Sequence, residues 1–257
     1  MRHTPRKRFG QNFLTDRSVV DAIIAAIAPQ PGDKLVEIGP GLGALTRPLL
    51  QQVPRLQVVE IDRDLAARLE QQFPPEHLLV HQGDALTFDF GRLGENLRVI
   101  GNLPYNISTP LLFHLAEFAA QVRDMHFMLQ KEVVERMVAE AGSADYGRLS
   151  VMLQYRFHME QLFVVPAQAF EPVPKVESAF VRMQPRDARE LEAQDEQLFA
   201  QVVAQAFSQR RKMLRNTLRS VLTENDLTAL GVAPTRRAEE LAVGDYIRIT
   251  NSLADKN

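Results

Sequence analysis

Between residues 34 and 130, short β-branched apolar runs alternate with amphipathic stretches, and this alternation limits what the chain can become more than any other feature. Strands are expected at Lys34–Ile38, Leu56–Ile61, Leu78–His81, Leu97–Gly101 and Met125–Gln130, with helices over Ala44–Gln52, Asp64–Phe73 and Thr109–Ala119. Strands apolar along their whole length need cover on both faces, and helical crossovers supply it. The pattern predicts an α/β domain, Rossmann-like and doubly wound around a mostly parallel sheet. Ahead of it, Arg17–Ala28 repeats Val19, Val20, Ile23, Ile24 and Ile27 at helical period until Pro29 stops the run. Beyond Pro185 the composition changes. A charged linker over Asp187–Glu196 leads into helical patterns broken by Gly231, Pro234 and Gly244. The expected domains are 1–188, with the ligand site, and 189–257, small and all-helical.

The chain of 257 residues contains no cysteine, which excludes disulfide scaffolds, thiolate nucleophiles and Cys-ligated metal centres. Its six histidines are scattered without zinc-ligand spacing, so no metal is expected. No apolar run is long enough to span a bilayer, and Met1–Asp16 is basic without a hydrophobic core, so a cytoplasmic protein is expected.

The net charge of −2 is unevenly distributed: residues 1–17 carry +4 and residues 205–223 carry +5, leaving −11 for the rest. Two basic islands on an acidic chain suit contact with a polyanion, although a solvated face explains charge alone equally well.

The first strand runs into Glu37-Ile-Gly39-Pro-Gly41-Leu-Gly43-Ala. Glycines at a strand-to-helix turn allow close backbone approach to a ligand. The same residues satisfy the looser dinucleotide fingerprint, so an NAD-type dehydrogenase competes at this point. Glu60 ends the second strand 21 residues after Gly39, where a carboxylate accepts ribose hydroxyls of either cofactor. Glu37 would place a negative charge where a pyrophosphate lies, which suits a cationic methionine portion better. Asp84, after the third strand, is placed for an adenine amine or, more simply, as a helix N-cap. The three acids together lean towards S-adenosylmethionine.

The fourth strand ends in Asn102-Leu103-Pro104-Tyr105. An exocyclic aromatic amine is a poor nucleophile because its lone pair is delocalised. Acceptance of its two N–H bonds by the Asn102 side-chain oxygen and a backbone carbonyl of Leu103 or Pro104 would draw the nitrogen towards a tetrahedral shape. Tyr105 would offer a face to an extruded base.

Asn102–Tyr105 together with Glu37–Gly43 resembles the ribosomal RNA adenine N6,N6-dimethyltransferases. Lys7–Leu14, Phe170–Ser178 and Phe207–Asn216 resemble the small-subunit (KsgA) type of that family; the large-subunit Erm type fits the last two segments less well. The resemblance covers almost the whole chain. It implies a class I methyltransferase that uses S-adenosylmethionine to dimethylate two adjacent adenosines near the 3′ end of small-subunit rRNA during ribosome biogenesis. It implies cofactor contacts from Asn12, Leu14, Gly39, Glu60, Asp84 and Asn102, and stacking of the target base by Phe170 opposite Tyr105. Arg6, Lys7, Arg8, Lys175, Arg210, Arg211, Lys212, Arg215 and Arg219 would then contact RNA phosphates, with Arg211, Arg215 and Arg219 on one face of a helix. The implied partner is rRNA within a pre-ribosomal particle, with a monomer as the default and no membrane. A non-catalytic assembly factor keeping the cofactor fold is the competing reading from another class.

Overall fold

A computed structural model describes residues 11–256; Arg6, Lys7 and Arg8 lie outside the described residues. In chain order the elements are β1 (Phe13–Leu14), α1 (Arg17–Ile27), β2 (Lys34–Ile38), α2 (Thr46–Leu50), β3 (Leu56–Glu60), α3 (Arg63–Gln72), β4 (Leu78–Gln82) and β5 (Leu97–Asn102). They continue with α4 (Ser108–Ala116), β6 (Val122–Gln130), α5 (Lys131–Val138), α6 (Arg148–Arg156), β7 (Phe157–Val165), β8 (Phe170–Glu171) and β9 (Ser178–Pro185). The last four helices are α7 (Glu196–Ala206), α8 (Leu214–Thr217), α9 (Glu224–Ala229) and α10 (Val243–Ala254).

The main sheet has seven strands in the order β4-β3-β2-β5-β6-β9-β7. From β4 to β6 all neighbours are parallel, and β9 pairs antiparallel with β6. The five expected strands are present, within three residues at every end. Their side chains are largely buried, as in Leu35, Val36 and Ile38 of β2 and Leu97, Val99 and Ile100 of β5. The chain steps outward from β2 to β3 and β4, then returns to β5 on the other side of β2. Such a reversal leaves a crevice at the carboxyl ends of β2 and β5, where open α/β sheets bind ligands.

Differences from the sequence reading have local causes. Helix α2 keeps only Thr46–Leu50 of the expected Ala44–Gln52, because residues 41–45 are spent in a turn that begins with two left-handed glycines. β7 and β9 escaped the reading, as did the two-residue pair β1–β8, whose register joins Phe13 to Glu171 and Leu14 to Phe170. Helix α1 forms as expected: Asp16 accepts from the N–H groups of Ser18 and Val19 at its start, and Ile23 and Ile27 are buried.

The described residues divide into two compact units, 11–134 with 159–185, and 135–158 with 186–256. The second unit therefore takes in Glu135–His158, which the sequence reading assigned to the first domain. Its core gathers Tyr155 from α6, Phe199 and Val203 from α7 and Tyr246 and Ile249 from α10. The Tyr155 and Phe199 rings lie 4.4 Å apart, and such aromatic pairing adds to the burial that holds the helices together.

Candidate active site

A cavity of about 320 Å³ opens at the carboxyl ends of β2, β3, β4 and β5, all in the first unit. Its walls include Asn12, Leu14, Glu37, Gly39, Gly41, Glu60, Ile61, Asp84 and Asn102–Tyr105. The structure thus brings together every cofactor residue expected from the sequence.

The floor is the loop after β2. Gly39, Gly41 and Gly43 have φ of 65°, 57° and 84°, a region that side chains rarely adopt. At Gly41 a Cβ would also stand 3.1 Å from the Phe13 ring. The glycines thus allow both the tight turn and the close packing of the Phe13 ring against it, and the loop lines the cavity.

Glu60, at the end of β3, is 4% exposed and directs both oxygens to backbone donors, Oε2 to the Gly41 N–H at 3.2 Å and Oε1 to the Asp62 N–H at 2.8 Å. These bonds fix the carboxyl. Burial nevertheless outweighs them and raises its pKa. The Ile61 N–H also bonds the carboxyl, and a carboxylate offers about four acceptor sites in all, so capacity is left to accept a ribose hydroxyl. Asp84 lines the cavity, and its Oδ1 takes the Leu86 N–H at 2.9 Å at the start of a turn; no helix follows, so the expected helix N-cap is a turn cap instead.

Glu37 is 2% exposed, and its Oε2 accepts from Thr46 Oγ1 at 2.6 Å. Desolvation, helped by nearby Glu60 and opposed by the Thr46 bond, pushes its pKa up to about 8. Burial thus disfavours the negative charge expected at Glu37, and a cation brought beside it would favour ionisation.

Asn102 ends β5, and its Nδ2 donates to the Asn12 carbonyl at 3.0 Å. The nitrogen side of the carboxamide is thereby used, and Oδ1 is left to accept. The Leu103 N–H is held by the Met128 carbonyl of β6 at 3.1 Å. The Pro104 carbonyl accepts from Ile107 N–H at 3.2 Å and the Tyr105 carbonyl from Ser108 Oγ at 3.1 Å. The Leu103 carbonyl has no such bond among the described residues. Of the two backbone acceptors expected from the sequence, Leu103 is the one the turn leaves open.

Two positions that shape the cavity wall were not singled out from the sequence. A Cβ at Gly101 would lie 2.8 Å from the Ile38 carbonyl and 2.9 Å from a Leu103 methyl, so only glycine lets β5 deliver Asn102 beside β2. An isolated glycine inside a strand run was the available signal. Ser178 Oγ lies 2.7 Å from the Tyr105 hydroxyl, a contact across 73 residues that no local pattern announces.

Other expected residues are not gathered at the cavity. Phe170 is 2% exposed, does not line the cavity, and packs in the cluster of Leu14, Ile100, Met128 and Phe180, which is the core-packing alternative to base stacking. Lys175 is exposed on the loop after β8. Arg210, Arg211, Lys212, Arg215 and Arg219 are all exposed in the second unit, yet Arg211, Arg215 and Arg219 do not share a helix. Helix α7 ends at Ala206, Met213 is drawn into an extended bridge with Arg237, and α8 is a single turn seated by buried Leu214. Arg210 donates to the Ala144 carbonyl at 2.7 Å, and Arg215 lies 3.8 Å from Glu224.

The cavity chemistry fits a nucleoside ligand with a cationic tail: left-handed glycines under it, a buried acid able to accept hydroxyls, and a second buried acid whose ionisation a cation would favour. No group of three or more His, Cys, Asp or Glu able to hold a metal occurs among the described residues. No helix among them is long and apolar enough to cross a membrane.

Comparison with known proteins agrees with this geometry over the whole chain. "Ribosomal RNA small subunit methyltransferase A" of Thiobacillus denitrificans is 65% identical over 254 residues, 99% of this chain and 100% of that one. Its namesake in Aromatoleum aromaticum is 64% identical over 99% of this chain and 96% of that one. Among solved structures, a dimethyladenosine transferase from Plasmodium falciparum superposes with a TM-score of 0.82 at 25% identity, covering 95% of this chain and 98% of that one. The 23S rRNA methyltransferase ErmE gives a TM-score of 0.71 at 27% identity, covering 95% and 100%. The family model described as ribosomal RNA adenine dimethylase matches residues 2–255, and the chain belongs to that family.

Proposed function

We infer that the protein transfers methyl groups from S-adenosylmethionine to the N6 amines of two adjacent adenosines near the 3′ end of small-subunit rRNA. The observation that carries the reading is the Asn102 carboxamide, tied through Nδ2 to the Asn12 carbonyl and left with Oδ1 to accept in the cavity wall. The small-subunit substrate is supported by relatives at 65% and 64% identity, both named for that subunit, against 27% for the 23S enzyme.

When bound, S-adenosylmethionine supplies an electrophilic methyl on a sulfonium. The rest of the work falls to this chain. Glu60 would hold the ribose hydroxyls, Asp84 the adenine amine, and the Gly39 loop the extended chain of the ligand. Glu37, ionising beside the ligand's ammonium, would add a charge-assisted bond. Asn12 and Leu14 would close over the site, and the strand pair joining Leu14 to Phe170 would keep them there. Asn102 Oδ1 and the Leu103 carbonyl would accept the two N–H bonds of the target amine and turn its lone pair towards the methyl. Pro104 stiffens the turn that keeps Leu103 open, and Tyr105 gives the extruded base a face to lie on. Phe170 supports this arrangement from the core.

Outside the cavity, Lys175, Arg210, Arg211, Lys212, Arg215 and Arg219 would meet phosphates, as would Arg6, Lys7 and Arg8. Removing one such contact should lower the salt dependence of RNA binding by about one charge without changing which base is methylated. The substrate would be rRNA in a pre-ribosomal particle, the protein a cytoplasmic monomer.

The test is transfer of labelled methyl to unmodified small ribosomal subunits, large-subunit RNA and duplex DNA, with products digested and separated by mass. Dimethyladenosine from the small subunit alone is expected. Transfer to large-subunit RNA or DNA in preference, or to none, would overturn the reading.

A further inference from the structure

Two stretches far apart in sequence meet in one contact beside the cavity: the Tyr105 hydroxyl and Ser178 Oγ, 2.7 Å apart. Tyr105 is partly buried and lines the cavity. Ser178 is fully buried and opens β9, where its backbone is paired in register with Gln130 of β6. The next residues are equally fixed, since the Lys131 N–H donates to the Glu177 carbonyl at 3.0 Å and the Lys131 ammonium reaches the Glu177 carboxylate at 3.0 Å. The hydroxyl of Ser178 therefore sits on a strand start held by backbone pairing at Ser178 and at Glu177 before it. A tyrosine ring has two torsions, and its phenol oxygen lies at the far end of the lever they move. A bond from that oxygen to a rigid strand fixes both torsions together, which Pro104 and the backbone before it cannot do. Burial raises the phenol's pKa against the opposing pull of the serine, so Tyr105 stays a neutral hydroxyl able to share this bond.

We propose that Ser178 is a positioning residue for methyl transfer, holding the Tyr105 ring at the angle at which its face borders the place of the target amine. The proposal rests on the reading of the cavity as an adenine N6-methylation site. A ring free to turn about its first torsion would leave the base unsupported for much of the time. Small errors in the approach of reacting atoms cost rate more than affinity.

The experiment measures single-turnover methyl transfer to unmodified small ribosomal subunits at saturating S-adenosylmethionine, with cofactor affinity by calorimetry, for wild type, Tyr105→Phe, Ser178→Ala and the double variant. Tyr105→Phe should be roughly tenfold slower, which corresponds to about 1.4 kcal/mol. Ser178→Ala should be at least as slow, because it leaves a phenol unpaired. The double variant should be no slower than Ser178→Ala, since both changes remove the same bond, and cofactor affinity should stay within about twofold throughout. Ser178→Thr, which keeps the hydroxyl, should recover most of the rate. A Tyr105→Phe enzyme at the wild-type rate overturns the proposal even if Ser178→Ala fails to fold, and losses that multiply in the double variant overturn it as well. A wild type inert on small subunits would instead remove the underlying reading of the site, an outcome visible in the control alone.

Discussion

The two ends of the parallel sheet treat polar groups in opposite ways. At the amino end, below β5, the Arg98 guanidinium bonds Asp124 at 2.9 and 3.1 Å, Asp33 at 2.6 Å and the Ile27 carbonyl at 2.7 Å. All three charged side chains are under 10% exposed. Burial acts to raise the Asp33 pKa, but the Gln30 N–H and the Arg98 guanidinium outweigh it and hold the carboxylate below its usual range. At the carboxyl end, Glu37 and Glu60 are as deeply buried, yet both have raised pKa values, and Asn102 keeps Oδ1 open. At the amino end the guanidinium and carboxylates are spent on one another and on the last carbonyl of α1, which ties strands and α1 together. The carboxyl end keeps unspent bonding capacity, at a cost in stability, for a ligand to use.

The comparison breaks most visibly at Arg98. Arg98→Met should destabilise the fold by about 3–5 kcal/mol, because buried Asp124 loses its guanidinium partner and Asp33 is left with Arg123 and the Gln30 N–H. Denaturant unfolding measures this, and a loss under about 1 kcal/mol would show that the cluster is not what secures that end of the sheet.

The next effect concerns pH. Folded Glu37 keeps its proton to about pH 8, whereas unfolded Glu loses it near its ordinary value of 4.5. Between those values the native state binds more protons, so its stability falls as pH rises, by up to about 1.4 kcal/mol per pH unit. Glu37→Gln should match wild type near pH 5 and gain on it steadily towards pH 8. Parallel stability curves across that range would contradict the assignment of a buried, proton-holding acid.

Gly101→Ala sharpens the geometry that links the two ends. Its Cβ would meet the Ile38 backbone at 2.8 Å, and relief by moving β5 should cost about 1–3 kcal/mol. Melting and methyl transfer measured together should show transfer falling by far more than the stability change explains, since Asn102 moves with the strand. A variant of normal activity would mean that Asn102 tolerates displacement.

Much of the amino-to-carboxyl framework was legible in the sequence, because β2 to β6 are short apolar runs whose character is local. So were Gly39, Glu60, Asp84 and Asn102, each at the end of one of those strands, where sheet topology puts reacting groups. What escaped depends on contacts distant in sequence. β7 mixes polar and apolar residues as a half-exposed strand and follows α6 with no Gly or Pro between Arg156 and Phe157. β9 completes the sheet only by pairing with β6. Residues 135–158 join the second unit through Tyr146, Val151 and Tyr155, while the composition shift near Pro185 marks only the final crossing between units. The helix through Arg211, Arg215 and Arg219 failed because its spacing ignored the bridge at Met213. Ser178 and the burial of Phe170 could be seen only in three dimensions.

The central claim is that the open end of the sheet acts through Asn102. Asn102→Ala should be measured for single-turnover methyl transfer to small ribosomal subunits and for melting temperature in the same preparation. The account predicts a rate lower by at least roughly 10²–10³-fold, with a melting temperature within about 3 °C of wild type because no core contact is lost. A rate within tenfold of wild type, or a melting loss as large as that of Arg98→Met, would contradict it.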